Sequence, residues 1–167
     1  MPSPVTSTTG CVPQNIVVDQ AITVYSCSAT STGGSTGPVN VGIGRDTVKP
    51  VIALNTITAP NGNGWNNTDV TATFTCSDAL SGVDGAATSL PNVTLMTEGA
   101  GQSITNTGQC VDNAGNIADP LTITGINIDK TAPTAVFLSV TSGTLGSNGW
   151  YLTDVTIHTN GSDSVSP

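Results

Sequence analysis

The chain has 167 residues, a net charge of −8, and 3 basic residues against 11 acidic ones. Nucleic acid and anionic membrane surfaces are held by clustered Lys and Arg, so this balance argues against both as partners. Charged residues make up 8% and hydrophobic residues 37%, too little charge for a typical disordered chain and well suited to short strands with tight turns.

The length accommodates one or two domains. No apolar run approaches a membrane span. No basic start followed by an apolar core comes after Met1, so no secretion signal is read there, and Met1 reads as the opening of a fragment.

Residues 1–45 read as the back part of a repeat. Val5 to Cys11 is a strand, and Cys11-Val12-Pro13-Gln14 a short turn. Ala21 to Cys27 is a second strand, Ser31 to Gly37 a polar Gly/Ser loop, and Val39, Val41 and Ile43 alternate in a last strand.

Residues 46–128 read as one complete repeat. Pro50 to Ile57 opens it, and Asn61-Gly62-Asn63-Gly64 is a turn that tolerates positive φ. Trp65 is expected to cover one end of the core. In Val70-Thr71-Ala72-Thr73-Phe74-Thr75-Cys76, apolar residues and threonines alternate, the mark of a half-buried strand. Ser77 to Gly82 is a turn in which Asp78 bonds local amides. Val93 to Met96 is a strand, Glu98 to Gly101 a turn, and Gln102 to Cys110 a strand. Asp112-Asn113-Ala114-Gly115-Asn116 is a compact turn, and Leu121 to Ile128 closes the repeat.

Residues 129–167 read as the front of a further repeat, with a strand from Pro133 to Val140 and another from Val155 to Gly161. The repeat shows in matched positions. Asp46 to Pro50 matches Asp129 to Pro133 at an offset of 83, and Cys27 matches Cys110 at the same offset. Trp65, Asp69 and Asp78 match Trp150, Asp154 and Asp163 at an offset of 85. Such a period suits a sandwich domain. No segment has both an apolar helical stripe and caps, so the fold class is all-β.

Four cysteines allow three pairings. The repeat selects Cys11 with Cys27 and Cys76 with Cys110, one bridge per copy. The alternative is free buried thiols acting as small hydrophobes. No Cys-x-x-Cys spacing occurs and there is 1 histidine, which argues against zinc. Cysteine use of this kind points outside the cell.

The ordered series Gly64-Trp65, Asp69-Val70-Thr71, Cys76-Ser77-Asp78, Ser81-Gly82-Val83, Glu98-Gly99, Asp112-Asn113-Ala114-Gly115-Asn116 and Asp129-Lys130-Thr131-Ala132-Pro133 resembles the bacterial Ig-like repeats found in tandem in large secreted and cell-surface proteins. The resemblance implies antiparallel β-sandwiches with Greek-key wiring, serving as stalk or spacer, extracellular or on the cell surface. Residues 28–30 depart from the turn motif in the first copy, and Gly161 stands where the third copy would carry its bridging cysteine.

Calcium is the one cofactor the resemblance suggests. In similar repeats of giant adhesins, junction and turn aspartates bind it. Here Asp46 and Asp129 at the junctions, with Asp78, Asp84 and Asp112 in turns, offer hard oxygen ligands. The competing reading is that each Asp caps its own turn.

No enzyme is expected. His158 lies on the threonine side of its strand, and no Ser or Cys sits in an activating motif. Asp78 and Asp84 as a glycosidase pair is outweighed by their turn-forming role. Asn66-Asn67-Thr68, Asn92-Val93-Thr94 and Asn160-Gly161-Ser162 lie close to or fit the glycosylation pattern, which a Thr- and Asn-rich chain produces by chance.

Two alternatives to a spacer stand. A filament subunit would assemble head-to-tail, the strand bearing Pro133, Val136, Leu138 and Val140 completing the first copy of a neighbouring chain. A carbohydrate-binding or adhesion module would hold surface glycans, for which Trp65 and Trp150 are the two available tryptophans.

Overall fold

The computed structural model describes residues 3–166, and of residues 135–137 the backbone. Among the described residues there is no helix, and every strand pair with a defined register is antiparallel. The chain divides into two compact units. The first takes Met1–Asn55, Thr73–Asn92 and Asn106–Leu121, and the second Thr56–Ala72, Val93–Thr105 and Thr122–Pro167. Residues 46–128 contribute to both.

In the first unit, β1 (Val5–Thr9), β2 (Gln20–Ser31), β3 (Gly34–Ser35) and β4 (Val39–Arg45) form one sheet, in which β2 pairs with the other three. The stretch read as a Gly/Ser loop holds β3. Ser31 Oγ accepts from Gly33 N at 3.2 Å and donates to Gly34 O at 3.2 Å, closing a tight hairpin. Val24, Val39 and Val41 remain exposed on this sheet.

Strands β5 (Val51–Ile57), β6 (Val70–Ser77) and β7 (Val93–Leu95) form a three-stranded sheet. On β6, Val70, Ala72 and Phe74 are buried and Thr75 is exposed, so the alternation in sequence is the alternation in space. The core of the second unit gathers Val70 and Ala72 with Ile104, Ile126 and Ile128; the first unit buries Ile52, Phe74, Cys110 and Val111.

In the second unit, β8 (Gly99–Thr105) pairs with β9 (Thr122–Ile128). Two readings from sequence change here. Glu98 to Gly101 is not a free turn, because β8 already begins at Gly99, with a shifted register between Gly99 and Ser103. Gln102 stitches this bulge: its Nε2 donates to Thr97 O at 2.9 Å and to Gly99 O at 3.0 Å. The strand also ends at Thr105 and does not run on to Cys110. Gly108, at φ 82°, turns the chain so closely past Ser89 that an added Cβ would lie 2.0 Å from its carbonyl oxygen. Gln109 then pairs with Ser89 through two backbone bonds of 2.8 Å.

Strands β10 (Thr134–Ser142) and β11 (Thr156–Ser162) form a hairpin in the same unit. Leu138, Val140 and Ile157 are exposed on it. The Thr, Val, Phe and Leu content of β10 favours extended chain.

Candidate functional site: a carboxylate triad

Three turns of the first unit bring Asp46, Asp78 and Asp112 together. One oxygen from each carboxylate lies within 4.8 Å of the others. Sequence neighbours cannot explain this, since the three are spread over the whole central stretch. Each turn is built by its own aspartate. Asp46 Oδ1 accepts from Val48 N at 3.0 Å, and Oδ2 from Ser81 N at 3.0 Å. Asp78 Oδ1 accepts from Leu80 N at 3.0 Å and Gly82 N at 2.8 Å. Asp112 Oδ1 accepts from Ala114 N at 2.9 Å and Asn116 N at 2.8 Å, while Oδ2 accepts from Asn116 Nδ2 at 2.8 Å. These are Asx-turns, the local bonding that makes Asp a turn residue.

The triad is unevenly sheltered. Asp112 is 1% exposed, whereas Asp46 and Asp78 are half-buried. A hydrogen bond from the Ser81 hydroxyl, then the Val48 amide, holds Asp46 below the ordinary carboxylate range against the opposing effect of burial. Asn116 ties the triad to the opening strand by donating to Asp46 O at 3.3 Å and Val48 O at 3.2 Å.

Among the described residues, no Lys or Arg neutralises the triad. The chain has 3 basic residues, and each bonds to a carboxylate elsewhere. Arg45 binds Asp19 at 2.5 Å, Lys49 binds Asp119 at 2.5 Å, and Lys130 binds Asp69 at 2.9 Å. Three carboxylates therefore share a small volume with only amide and hydroxyl dipoles facing them.

The second unit builds the same clasp from residues further along. Asp129 Oδ1 accepts from Thr131 N at 3.0 Å, and its Oδ2 from Ser166 N at 3.1 Å and Ser166 Oγ at 2.5 Å. Asp163 Oδ1 accepts from Val165 N at 2.9 Å. Asp129 and Ser166 stand where Asp46 and Ser81 stand in the first unit. The Ser166 hydroxyl is the chief cause holding Asp129 below the usual carboxylate range.

Asp84 joins neither group. Its Oδ1 caps its own turn, accepting from Ala86 N at 2.9 Å and Ala87 N at 3.2 Å. Asp163, Ser81 and Ser166 were not singled out as site residues from sequence. The matched position of Asp163 with Asp78 was the available signal for the first of them.

Two disulfides join Cys11 to Cys27, with Cα atoms 4.7 Å apart, and Cys76 to Cys110, with Cα atoms 5.7 Å apart. His158 is exposed on β11. Trp65 is half-buried, whereas Trp150 is 77% exposed. Of the strand-exchange residues, Pro133, Leu138 and Val140 are exposed and the Val136 side chain lies outside the described residues.

No helix among the described residues is long and apolar enough to cross a membrane. Comparison of the chain with protein-family models, with curated proteins and with solved structures finds no match.

Proposed function

We propose that the chain is a non-catalytic structural segment of an extracellular or surface protein, built of Ig-like β-sandwich repeats in tandem and serving as a spacer. The recurrence of one clasp carries the reading. Asp46 and Asp129 each bind the amide two residues on and a serine in the turn after the Val-Thr strand, Ser81 and Ser166. A clasp that locks each linker to the body it enters is what a tension-bearing array needs, because bending at linkers is otherwise the softest motion. Disulfides fit the oxidising surroundings outside a cell.

Pulling the chain from both ends tests this. The Cys76–Cys110 loop, 34 residues long, stays closed under load. Reductant then lengthens the unfolded chain by about 110–120 Å from this loop and by about 50–60 Å more from the Cys11–Cys27 loop of 16 residues, at 3.3–3.6 Å per residue. A featureless extension with no rupture peak, in oxidant and reductant alike, removes the spacer reading.

The triad supports calcium as part of this role. Calcium binds oxygen at about 2.3–2.6 Å, so oxygens on opposite sides of it stand about 4.6–5.2 Å apart. Three oxygens spread evenly around such an ion stand up to about 4.5 Å apart, so the triad oxygens, within 4.8 Å of one another, reach it with a shift of at most a few tenths of an ångström. Asp46, Asp78 and Asp112 would hold the ion, with water and carbonyl oxygens completing its six to eight ligands. Bound calcium supplies a positive charge that, among the described residues, no Lys or Arg supplies. Saturating calcium is expected to raise the melting temperature of the chelator-treated protein, since a ligand at 100 times its Kd stabilises by about 2.7 kcal/mol. Equal melting temperatures in calcium and in chelator dismiss the ion.

A further inference from the structure

We propose that residues 3–46 take up the Gly149–Leu152 segment of a second copy of this chain, so that chains join head to tail. The inference rests on the repeat reading above, and the molecule itself contains the template for the contact. In the second unit, the Trp65–Asn66 segment lies parallel to the end of β9. Asn66 N donates to Asn127 O at 2.9 Å, and Asp129 N donates to Asn66 O at 2.9 Å. Asn127 Nδ2 donates to Gly64 O at 3.0 Å, seating the turn.

At an offset of 83 residues, Asn127, Ile128 and Asp129 correspond to Gly44, Arg45 and Asp46. There β4 pairs with β2 along one edge, and among the described residues the other edge carries no strand. Gly44, Arg45 and Asp46 at the end of β4 also line a cleft of about 490 Å³, together with Ala21, Ile22 and Leu80. Among the described residues, no segment pairs with Gly44–Asp46 as Trp65–Asn66 pairs with Asn127–Asp129.

The tail presents the matching piece. At an offset of 85, Gly64-Trp65-Asn66 corresponds to Gly149-Trp150-Tyr151. The two turns are built alike: Asn61 N donates to Trp65 O at 2.8 Å, and Gly146 N donates to Trp150 O at 2.7 Å. Gly64 has φ 82° and Gly149 φ 81°. Yet Trp150 is 77% and Leu152 74% exposed. In the contact, Tyr151 N donates to Gly44 O and Asp46 N donates to Tyr151 O.

The flanking faces agree. Val70, Ala72 and Ile126 are buried in the second unit, whereas their counterparts Val155, Ile157 and Ile43 are 40%, 55% and 37% exposed. Residues 3–45 bring the counterparts of β9, and the tail brings those of β5 and β6. Asp19 and Arg45 neutralise each other on the head, whereas Asp46 lines the cleft and each chain carries a net charge of −8, so salt that screens this repulsion favours the contact. Such a contact uses different surfaces on the two copies, so it propagates.

Sedimentation of the full chain, up to about 1 mM at the weak end of specific association, tests this. Species that are multiples of 16.7 kDa are expected, their share rising with concentration. Ile43→Asp breaks the head and Trp150→Asp breaks the tail, so each variant alone is expected to stay monomeric. Their mixture retains one sound head and one sound tail, so it is expected to stop at dimers. A wild-type chain that remains monomeric throughout, or either variant assembling like wild type, overturns the proposal. A monomer leaves the spacer reading untouched, since that reading is decided by the pulling trace.

Discussion

Replacing Cys76 and Cys110 together by alanine is expected to lower the unfolding free energy by about 4 kcal/mol, the chain-entropy value for a loop of this length. The bridge closes 34 residues. Cut open, that loop gains freedom in the unfolded chain that the folded state does not share. The effect is expected to exceed that of removing Cys11–Cys27, which closes 16 residues and corresponds to about 3 kcal/mol. Position adds to length. Cys110 is fully buried beside Val111 and Asp112, whereas Cys11 and Cys27 are exposed. Alanine is chosen because serine would bury a hydroxyl at Cys110. Since domains are stable by only about 5–15 kcal/mol, urea titration of the variant should show a midpoint well below that of the parent. A variant within about 0.5 kcal/mol of the parent would mean that the folded state holds this loop without the bridge.

Asp112→Ala comes next in size. The carboxylate receives the amides of Ala114 and Asn116 and the side chain of Asn116, all at 2.8–2.9 Å, and is 1% exposed. Alanine leaves these donors facing a dry turn. Each unpartnered buried donor costs about 1–3 kcal/mol, so a loss of about 3 kcal/mol is expected in chelator, where no metal contributes. Asp112→Asn separates the turn from the charge. Its amide oxygen still accepts from both backbone groups, but its amino group opposes Asn116 Nδ2, donor against donor. It is therefore expected to fall between alanine and the parent in chelator, and to lose the calcium-dependent rise in melting temperature. If Asp112→Ala is instead more stable than the parent in chelator, repulsion within the triad outweighs the turn bonds.

The two predictions separate what residue types decide from what folding decides. Alternation along β6 was legible because a strand with one buried face must repeat every second residue, and Val70, Ala72 and Phe74 are buried accordingly. The Asx-turns at Asp78 and Asp112 were legible because their bonds are local. The bulge at Gly99–Ser103 was not, since Gln102 reaches back to Thr97 and Gly99 only once β9 has set the register. The end of β8 at Thr105 was hidden for a similar reason: Gly108 passes within reach of Ser89, a residue on another stretch of chain.

By itself, the sequence determined an all-β chain, poor in positive charge, with aspartates placed to make turns. Those properties follow from side-chain chemistry and from neighbours a few residues apart. Only the tertiary structure decided that Asp46, Asp78 and Asp112 converge, that Asp84 stands apart, and that the three basic residues bind other carboxylates. Convergence depends on where three separate turns are carried by the strands between them, and no local spacing encodes that distance.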